Sequence, residues 1–545
     1  MIINKKLTEH VHVNQIGYPT KGSKKAIALG AIGRYELLDV RNNMVVWNGE
    51  GVVGDSIDKS TGHAWSSLDF TLFQQPGIYI IDVEGVGLSH PFEISEAPYS
   101  GVRTGLLKSF YYQRCGLALD EEFAGVWKHD ACHLAEGHVH GTEETRPSSG
   151  GWHDAGDYGK YVVPAAKAIA DLLLAYEQYP SSWVESIGIP ESGNSVPDIL
   201  NEVRYELDWL LLMQREDGAV YHKLTTHRFP GLGVMPEDDQ AELVFSNVSY
   251  TATGTFAAAM AMSARIYHLF DIKFADECSR LAKKAWKWLE SAELNGFRNP
   301  PDISTGEYGD KILEDERYWA AAELYRLTGN LEYLEIATTL AEKETFPLYE
   351  LGWADVGGYG TIALLLAETE VPSSIRDYLL EGWKKEVERL KRLSDQDAFG
   401  ISLSPEEYKW GSNMNVMNHA MILILSSKFF DQMELESYIV RHWDYLLGCN
   451  ATDYCYVTGY GSKPVMFPHH RPSVGDGVEA PVPGMVAGGP NIGLQDSVAV
   501  EYLQGEHPAC CFIDHKDSYS TNEMTIYWNS PAVFVAVSMD CKRVT

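Results

Sequence analysis

Two carboxylates three residues apart raise the question of chemistry. Asp154 and Asp157 lie in Gly150-Gly151-Trp152-His153-Asp154-Ala155-Gly156-Asp157-Tyr158-Gly159-Lys160-Tyr161, with glycines before, between and after them. Such a segment suits a strained loop entering a helix, on which both acids face one point and handle a single water molecule. The bare D-x-x-D spacing also fits any acidic loop. A third acid, Glu523, stands far away in Asp517-Ser518-Tyr519-Ser520-Thr521-Asn522-Glu523-Met524-Thr525-Ile526-Tyr527-Trp528-Asn529-Ser530-Pro531. There it reads equally as a helix-start glutamate beside an asparagine cap. Phe467-Pro468-His469-His470-Arg471-Pro472-Ser473 sets two imidazoles and a guanidinium in a proline-bounded loop. They can donate hydrogen bonds to sugar hydroxyls, or form a surface cluster or a metal site. Cys115, Cys132, His133 and His153 offer two thiolates and two imidazoles, the donor set of a closed tetrahedral zinc site with no open position. Their spacing is not that of a zinc finger. His129, His138 and His140 are rival ligands, and Cys115 and Cys132 also read as buried thiols.

The elements that must position these groups fall into two textures. From about residue 10 to residue 95 the chain reads as short strands: Val11-His12-Val13-Asn14-Gln15 alternates, Ala26-Ile27-Ala28-Leu29 is a buried run, and Gly77 to Val83 follows a Gln-Pro-Gly turn. Short strands punctuated by Gly, Asn and Asp predict a β-sandwich over residues 1–96. After the hinge Ser95-Glu96-Ala97-Pro98-Tyr99-Ser100-Gly101 the pattern turns helical. Tyr161 to Tyr179, Ile199 to Gln214, Tyr250 to Leu269 and Arg317 to Thr328 show apolar residues at a 3.6-residue period. Residues 97–545 are expected to form one all-α domain of helical hairpins joined by long Gly, Pro and Asp loops.

Composition narrows the partners. The formal charge of −32 argues against nucleic acid and anionic membrane, which would be repelled, and ordinary solubility accounts for it. With 45% hydrophobic residues among 545, a large core is expected. No apolar run approaches a membrane span. Lys5-Lys6 is not followed by an apolar signal core, and eight cysteines in so long a chain make no disulfide scaffold. A reduced, cytoplasmic location is the expectation.

The twelve residues around Asp154 and Asp157 resemble the base-bearing segment of glycoside hydrolase family 9, whose members are inverting and cellulase-like. Met213-Gln214-Arg215-Glu216-Asp217-Gly218, Trp319 to Tyr325, Tyr408-Lys409-Trp410-Gly411-Ser412-Asn413, Tyr445-Leu446-Leu447-Gly448-Cys449-Asn450 and Val457-Thr458-Gly459-Tyr460-Gly461 are in the same style. Val13-Asn14-Gln15-Ile16-Gly17-Tyr18-Pro19 resembles the first strand of the immunoglobulin-like module that precedes many such catalytic domains. The resemblance implies an (α/α)6 barrel, with Asp157 as general base, Asp154 helping to hold the water, and Glu523 as proton donor. It implies sugar contacts by His469 and Arg471, and Trp410 and Tyr519 lie in the matching stretches as candidates to stack on sugar faces. It implies structural Zn²⁺ at Cys115, Cys132, His133 and His153. It also allows Ca²⁺, with Glu237, Asp238 and Asp239 as loop carboxylates but no assignable site. Two departures stand out: Tyr527 replaces an acidic residue frequent in the family, and Ser530 replaces an alanine. The implied activity is cleavage of β-1,4 linkages in short cello-oligosaccharides or glucosamine oligomers, from the chain end. Endo action on longer glucan and a non-catalytic sugar-binding protein are the alternatives. Oligomeric state is not legible.

Overall fold

The computed structural model describes residues 6–431 and 433–541. The first unit is a sandwich of two sheets. One has the strand order Val11–His12, Lys25–Leu29, Trp65–Asp69, Val52–Val53; the other runs Gly17–Pro19, Phe92–Ser95, Gly77–Val83, Arg34–Asp39, Met44–Glu50, with Gly87–Leu88 pairing Gly77–Val83. Alternate residues of each strand point inward, so Tyr35, Leu37, Tyr79 and Ile81 join Tyr18, Phe70 and Phe92 in one aromatic core. Tyr18 meets Phe70 and Phe92 edge to face, with centroids 5.1 and 5.3 Å apart.

Among the described residues of the second unit, twelve helices form two concentric rings. The inner ring consists of Val162–Gln178, Tyr250–Tyr267, Glu314–Thr328, Gly357–Leu365, Ser412–Phe429 and Ile526–Cys541. The outer partners are Ser100–Tyr112, Asp198–Met213, Ile272–Leu289, Leu331–Lys343, Ser373–Gln396 and Glu436–Leu446. Sequence separates the rings physically. Inner helices are buried nearly all round, as in Val162 through Ala175, and their alanines allow close approach. Outer helices carry a single stripe: in Ile272–Leu289 the buried residues are Phe274, Ala275, Cys278, Leu281, Ala282, Ala285, Trp286 and Leu289. This is the (α/α)6 barrel.

Inside the ring, Lys167 and Asp171 form a fully buried ion pair at 2.6 Å, and Asp171 also accepts from Tyr359 Oη and Ser530 Oγ. A buried charge pair needs such further donors. The serine that departs from the family pattern therefore ties Ile526–Cys541 to Val162–Gln178, the helices that follow Glu523 and Asp157.

The two units are joined by polar contacts. Asn14 Nδ2 donates to Asp444 Oδ1 at 2.7 Å, Gln15 Nε2 donates to Asp453 O, and Ser462 N and Lys463 N donate to Gln15 Oε1. Asn14 and Gln15, read from the sequence as strand residues, thus serve the interface. Burial pushes Asp444 up to about 8 despite the Asn14 bond, and burial with nearby Asp58 pushes Asp397 up to about 8. Both folded values exceed the ordinary carboxylate value of about 4. The associated stability is fully present below that value and is lost as pH rises through about 8. Asp444→Asn should therefore flatten the decline of Tm between pH 6 and 9 in calorimetry; a decline matching wild type would remove Asp444 from the account.

Candidate active site

Asp154 and Asp157 sit on the loop that leads into the inner helix Val162–Gln178. The loop folds on itself through its backbone: Asp154 N donates to Gly159 O at 2.9 Å, and Gly159 N donates to Asp157 Oδ2 at 2.9 Å. Gly150 and Gly151 hold φ of 99° and 76°, which side chains disfavour. Gly156 is required by proximity, since a Cβ there would run into His469 O. Beneath the loop, buried Lys160 donates to Ser148 O and Gly150 O, and Glu206 accepts from Trp152 N.

The third acid arrives on an extended segment. Glu523 lies between the short helix Tyr519–Asn522 and Ile526–Cys541, outside either helix, where the sequence also allowed a helix-start position. Three bonds hold the segment in place, the first of them to the base loop. Ile526 N donates to Asp154 O at 2.8 Å, His469 N to Asn522 O at 2.9 Å, and Gly488 N to Glu523 O at 3.0 Å. His469 to Arg471 forms the strap between them, because Arg471 donates through N and Nη1 to Gly156 O. All three carboxylates line one cavity of about 680 Å³, with Tyr161, Phe229, Glu307, Tyr308, Trp353, Trp410, His469, Arg471, Tyr519, Tyr527 and Trp528.

Electrostatics separates the acids. Burial, then repulsion from Asp157 and Asp154, holds Glu523 well above the usual carboxylate range, only partly opposed by Arg471. Tyr527 and Trp528 supply the apolar wall that the sequence suggested. Asp154 is also held high, by burial and by Asp157. Asp157 is raised by burial, but Arg471, Gly159 N and Tyr161 Oη counteract it. The arrangement suits a protonated donor at Glu523 facing an ionised acceptor at Asp157.

Sequence reading missed Tyr308. Its Oη donates to Asp154 Oδ2 at 2.5 Å, while buried Asp154 Oδ1 has no protein partner. Tyr308 holds a left-handed φ of 46°, unfavourable for a tyrosine, and the loop is braced from below. Lys223 Nζ donates to Thr305 Oγ1 and Gly306 O, and His222 Nε2 lies 3.0 Å from Glu307 O. Tyr527 Oη is 3.3 Å from Tyr308 Oη, so the phenol at the departing position joins the same chain. Only the flanking Gly306 and Gly309 hinted at this loop. Tyr308→Phe is expected to lower kcat by about 10–100-fold, the loss of one hydrogen bond to a charged group. Because that bond lowers the Asp154 pKa, the acid limb of the pH–rate profile should move to higher pH. An unmoved limb would limit Tyr308 to packing.

The other expected site residues divide. Trp410 and Tyr519 both line the cavity and pack against each other, centroids 5.4 Å apart, with Trp410 41% exposed and so open to a sugar face. His469 lines the cavity, but its Nδ1 lies 2.6 Å from Lys516 O and so carries the proton. Burial lowers its pKa, leaving Nε2 an acceptor rather than the donor anticipated. His470 turns inward to Gln113 Oε1 and Ser473 Oγ and is fully buried. Arg471 spends Nη1 and Nε on Gly156 O and Pro230 O, which makes it structural as well as cavity-lining.

Cys115, Cys132, His133 and His153 converge, with one ligand atom from each within 4.8 Å of the others. His133 Nδ1 and His153 Nε2 are buried without hydrogen-bond partners, and His133 holds a left-handed φ of 50°. Orphaned imidazole nitrogens facing two thiols are what a four-ligand metal site requires. Asp239 Oδ2 sits 3.5 Å from the other His133 nitrogen, a carboxylate behind a ligand. Of the rivals, His129 turns to Asp130 O, and His138 and His140 pair with Glu242 and Asp302. Cys115 N donates to Gly151 O and His153 N to Gln113 O, so the cluster is one wall of the aspartate loop.

Comparison with known proteins agrees with this geometry. A family model described as glycosyl hydrolase family 9 matches residues 99–536, and one described as a cellulase N-terminal ig-like domain matches residues 6–88. A cellodextrinase of Butyrivibrio fibrisolvens is 37% identical over 546 residues, covering 96% of this chain and 98% of its own. A crystal structure of a single-mutant thermostable endoglucanase from Alicyclobacillus acidocaldarius superposes with a TM-score of 0.93 at 40% identity, over 98% of this chain and 99% of that one. A Zn-binding triple mutant of a family 9 endoglucanase superposes with a TM-score of 0.88 at 31% identity, over 95% of this chain and 99% of that one.

Proposed function

The chain belongs to glycosyl hydrolase family 9, and we propose that it hydrolyses β-1,4 linkages of short cello-oligosaccharides with inversion, acting from the chain end. The observation that carries this reading is the convergence of Asp154, Asp157 and Glu523 on one cavity, with Glu523 biased to the protonated form. In the proposed reaction Asp157 takes a proton from a water that Asp154 also holds. The water oxygen attacks the anomeric carbon from the face opposite the bond. Glu523 gives its proton to the departing glycosidic oxygen as that bond breaks. The β linkage yields an α-anomer, and solvent exchange restores both carboxyls.

Support for a glucan substrate comes from the cellodextrinase relative and from the aromatic walls, where Trp410, Tyr519 and Trp353 offer flat faces. Glucosamine oligomers are the second substrate to test. Cys115, Cys132, His133 and His153 are proposed to hold Zn²⁺, the site having no open position; the ion would supply cross-linking, not chemistry. The orphaned nitrogens and the zinc-binding neighbour support this.

Time-resolved proton NMR tests the reading on cello- and glucosamine oligomers. Initial release of α-glucose from cellotriose is expected. Initial β-anomer would overturn inversion, mid-chain products would overturn exo action, and release from glucosamine oligomers alone would overturn the glucan assignment.

A further inference from the structure

A buried lysine outside the reaction scheme sits beneath the cleft. Lys223 is fully buried, and its Nζ donates to Gly306 O at 2.7 Å, Thr305 Oγ1 at 2.9 Å and Thr305 O at 3.3 Å. All three acceptors are neutral, and among the described residues Lys223 forms no ion pair with a carboxylate. A charge buried without an opposite partner is costly, so its presence calls for a task other than stability.

The acceptors decide its protonation. Thr305 O and Gly306 O can only accept, and Thr305 Oγ1 also meets Thr225 Oγ1 at 2.8 Å. An ammonium offers three hydrogens, one for each acceptor, whereas an amine offers two and turns a lone pair on the third. Burial lowers the Lys223 pKa to about 7 while Asp157 and Glu307 draw it up, so below neutral pH the site holds an ammonium.

This ammonium stands between the two aspartates of the base loop. Lys223 lies opposite Tyr161 in the antiparallel pair of Lys160–Tyr161 and Lys223–Thr225, and Tyr161 Oη donates to Asp157 Oδ2 at 3.2 Å. Nζ is 5.6 Å from the Tyr161 ring centroid. Its hydrogen bonds then cross to residues 305–308, where Tyr308 Oη donates to Asp154 Oδ2. The Tyr308 ring closes back on Tyr161, centroids 4.8 Å apart. A circuit therefore runs from Asp157 through Tyr161, Lys223, Gly306 and Tyr308 to Asp154. Other bonds hold the flanks of the segment, Ser304 N on His227 O and His222 Nε2 at Glu307 O. Lys223 holds its middle, two residues before the left-handed Tyr308, a conformation that persists only where its surroundings enforce it.

We propose that Lys223 is a positioning residue for the hydrolysis, acting through Tyr308: its ammonium fastens residues 305–308 to the strand that carries Tyr161 and so keeps the phenol on Asp154. The inference rests on the hydrolase reading above. Lys223 does not line the cavity, so its effect reaches the reaction only through these neighbours.

Lys223→Met, Tyr308→Phe and the double variant test this at pH 6, where wild type holds the ammonium, on the oligosaccharide that wild type cleaves. Lys223→Met should lower kcat by about 10–100-fold, the scale of a misplaced catalytic group. The double variant should be within about threefold of Tyr308→Phe, rather than showing the product of the two losses. Thr305→Val removes one acceptor and keeps the side-chain shape; it should give a smaller loss with the same non-additivity, and it decides the matter if Lys223→Met does not fold. Amide hydrogen exchange over residues 303–309, read without substrate, should quicken by about tenfold or more in Lys223→Met and in the same direction in Thr305→Val. No hydrolysis of either oligomer class by wild type defeats the hydrolase reading and this role with it. In an active wild type, an unchanged kcat in the folded variants, multiplicative losses in the double variant, or unchanged exchange overturns the role of Lys223 and leaves the hydrolase reading standing.

Discussion

Glu523→Gln should lower kcat on unactivated β-linked oligosaccharides by about 10²–10⁴-fold, the contribution of a positioned general acid. Binding should persist, since glutamine preserves the shape of the cavity wall. The loss should depend on the leaving group. An aryl glycoside whose phenolate departs without protonation should lose far less, because Glu523 is needed only where the departing oxygen must accept a proton. The pH profile gives a second readout. Burial and the two aspartates hold the Glu523 pKa high, so wild-type activity falls on the alkaline side as that proton is lost, and the variant should lose this limb. Asp157→Asn should behave differently, losing activity on both substrate types because water activation precedes either departure. Equal losses on aryl and unactivated substrates for Glu523→Gln would remove it from the acid role.

Removing the ion proposed for Cys115, Cys132, His133 and His153 should cost both stability and rate. Without an ion, two thiols and two imidazoles remain buried with unpaired polar atoms, a destabilisation of about 3–5 kcal/mol by analogy with loss of a buried charged partner. The rate should fall further than stability alone explains. The cluster abuts Asp154 through His153, and a shift of about 1 Å in a catalytic group costs on the order of 100-fold. Cys132→Ser should reproduce the effect of metal removal, with metal content, Tm and kcat falling together. Cys278→Ala, at a buried thiol on Ile272–Leu289, should leave metal content unchanged. A metal-free protein with unchanged kcat would separate the ion from catalysis.

Much of the molecule was legible before folding. The four inner and outer helices predicted from apolar periodicity occupy Val162–Gln178, Asp198–Met213, Tyr250–Tyr267 and Glu314–Thr328, within three residues of their expected ends. Periodicity works here because burial of a helix face is written into every third or fourth residue. The seven short strands that the described residues form after residue 100 left no such trace. Lys160–Tyr161, Lys223–Thr225 and their neighbours are two or three residues long, below one period of alternation, and exist because distant segments pair with them.

The same division runs through the site. The sequence supplied the acids and the thiol and imidazole donors as candidates, singled out by the family resemblance of the segments that carry them, and local spacing supplied the glycines that let the loop bend. Tertiary structure alone decided which atoms do what. Tyr308 reaches Asp154 across 154 positions, Ser530 reaches Asp171 across 359, and Gln113 turns His470 inward across 357. Lys516 fixes the proton of His469, and Arg471 is spent on Gly156. A side chain's partners and the dielectric around it are set by the packing of remote segments, so protonation states and hydrogen-bond roles emerge only when the barrel closes.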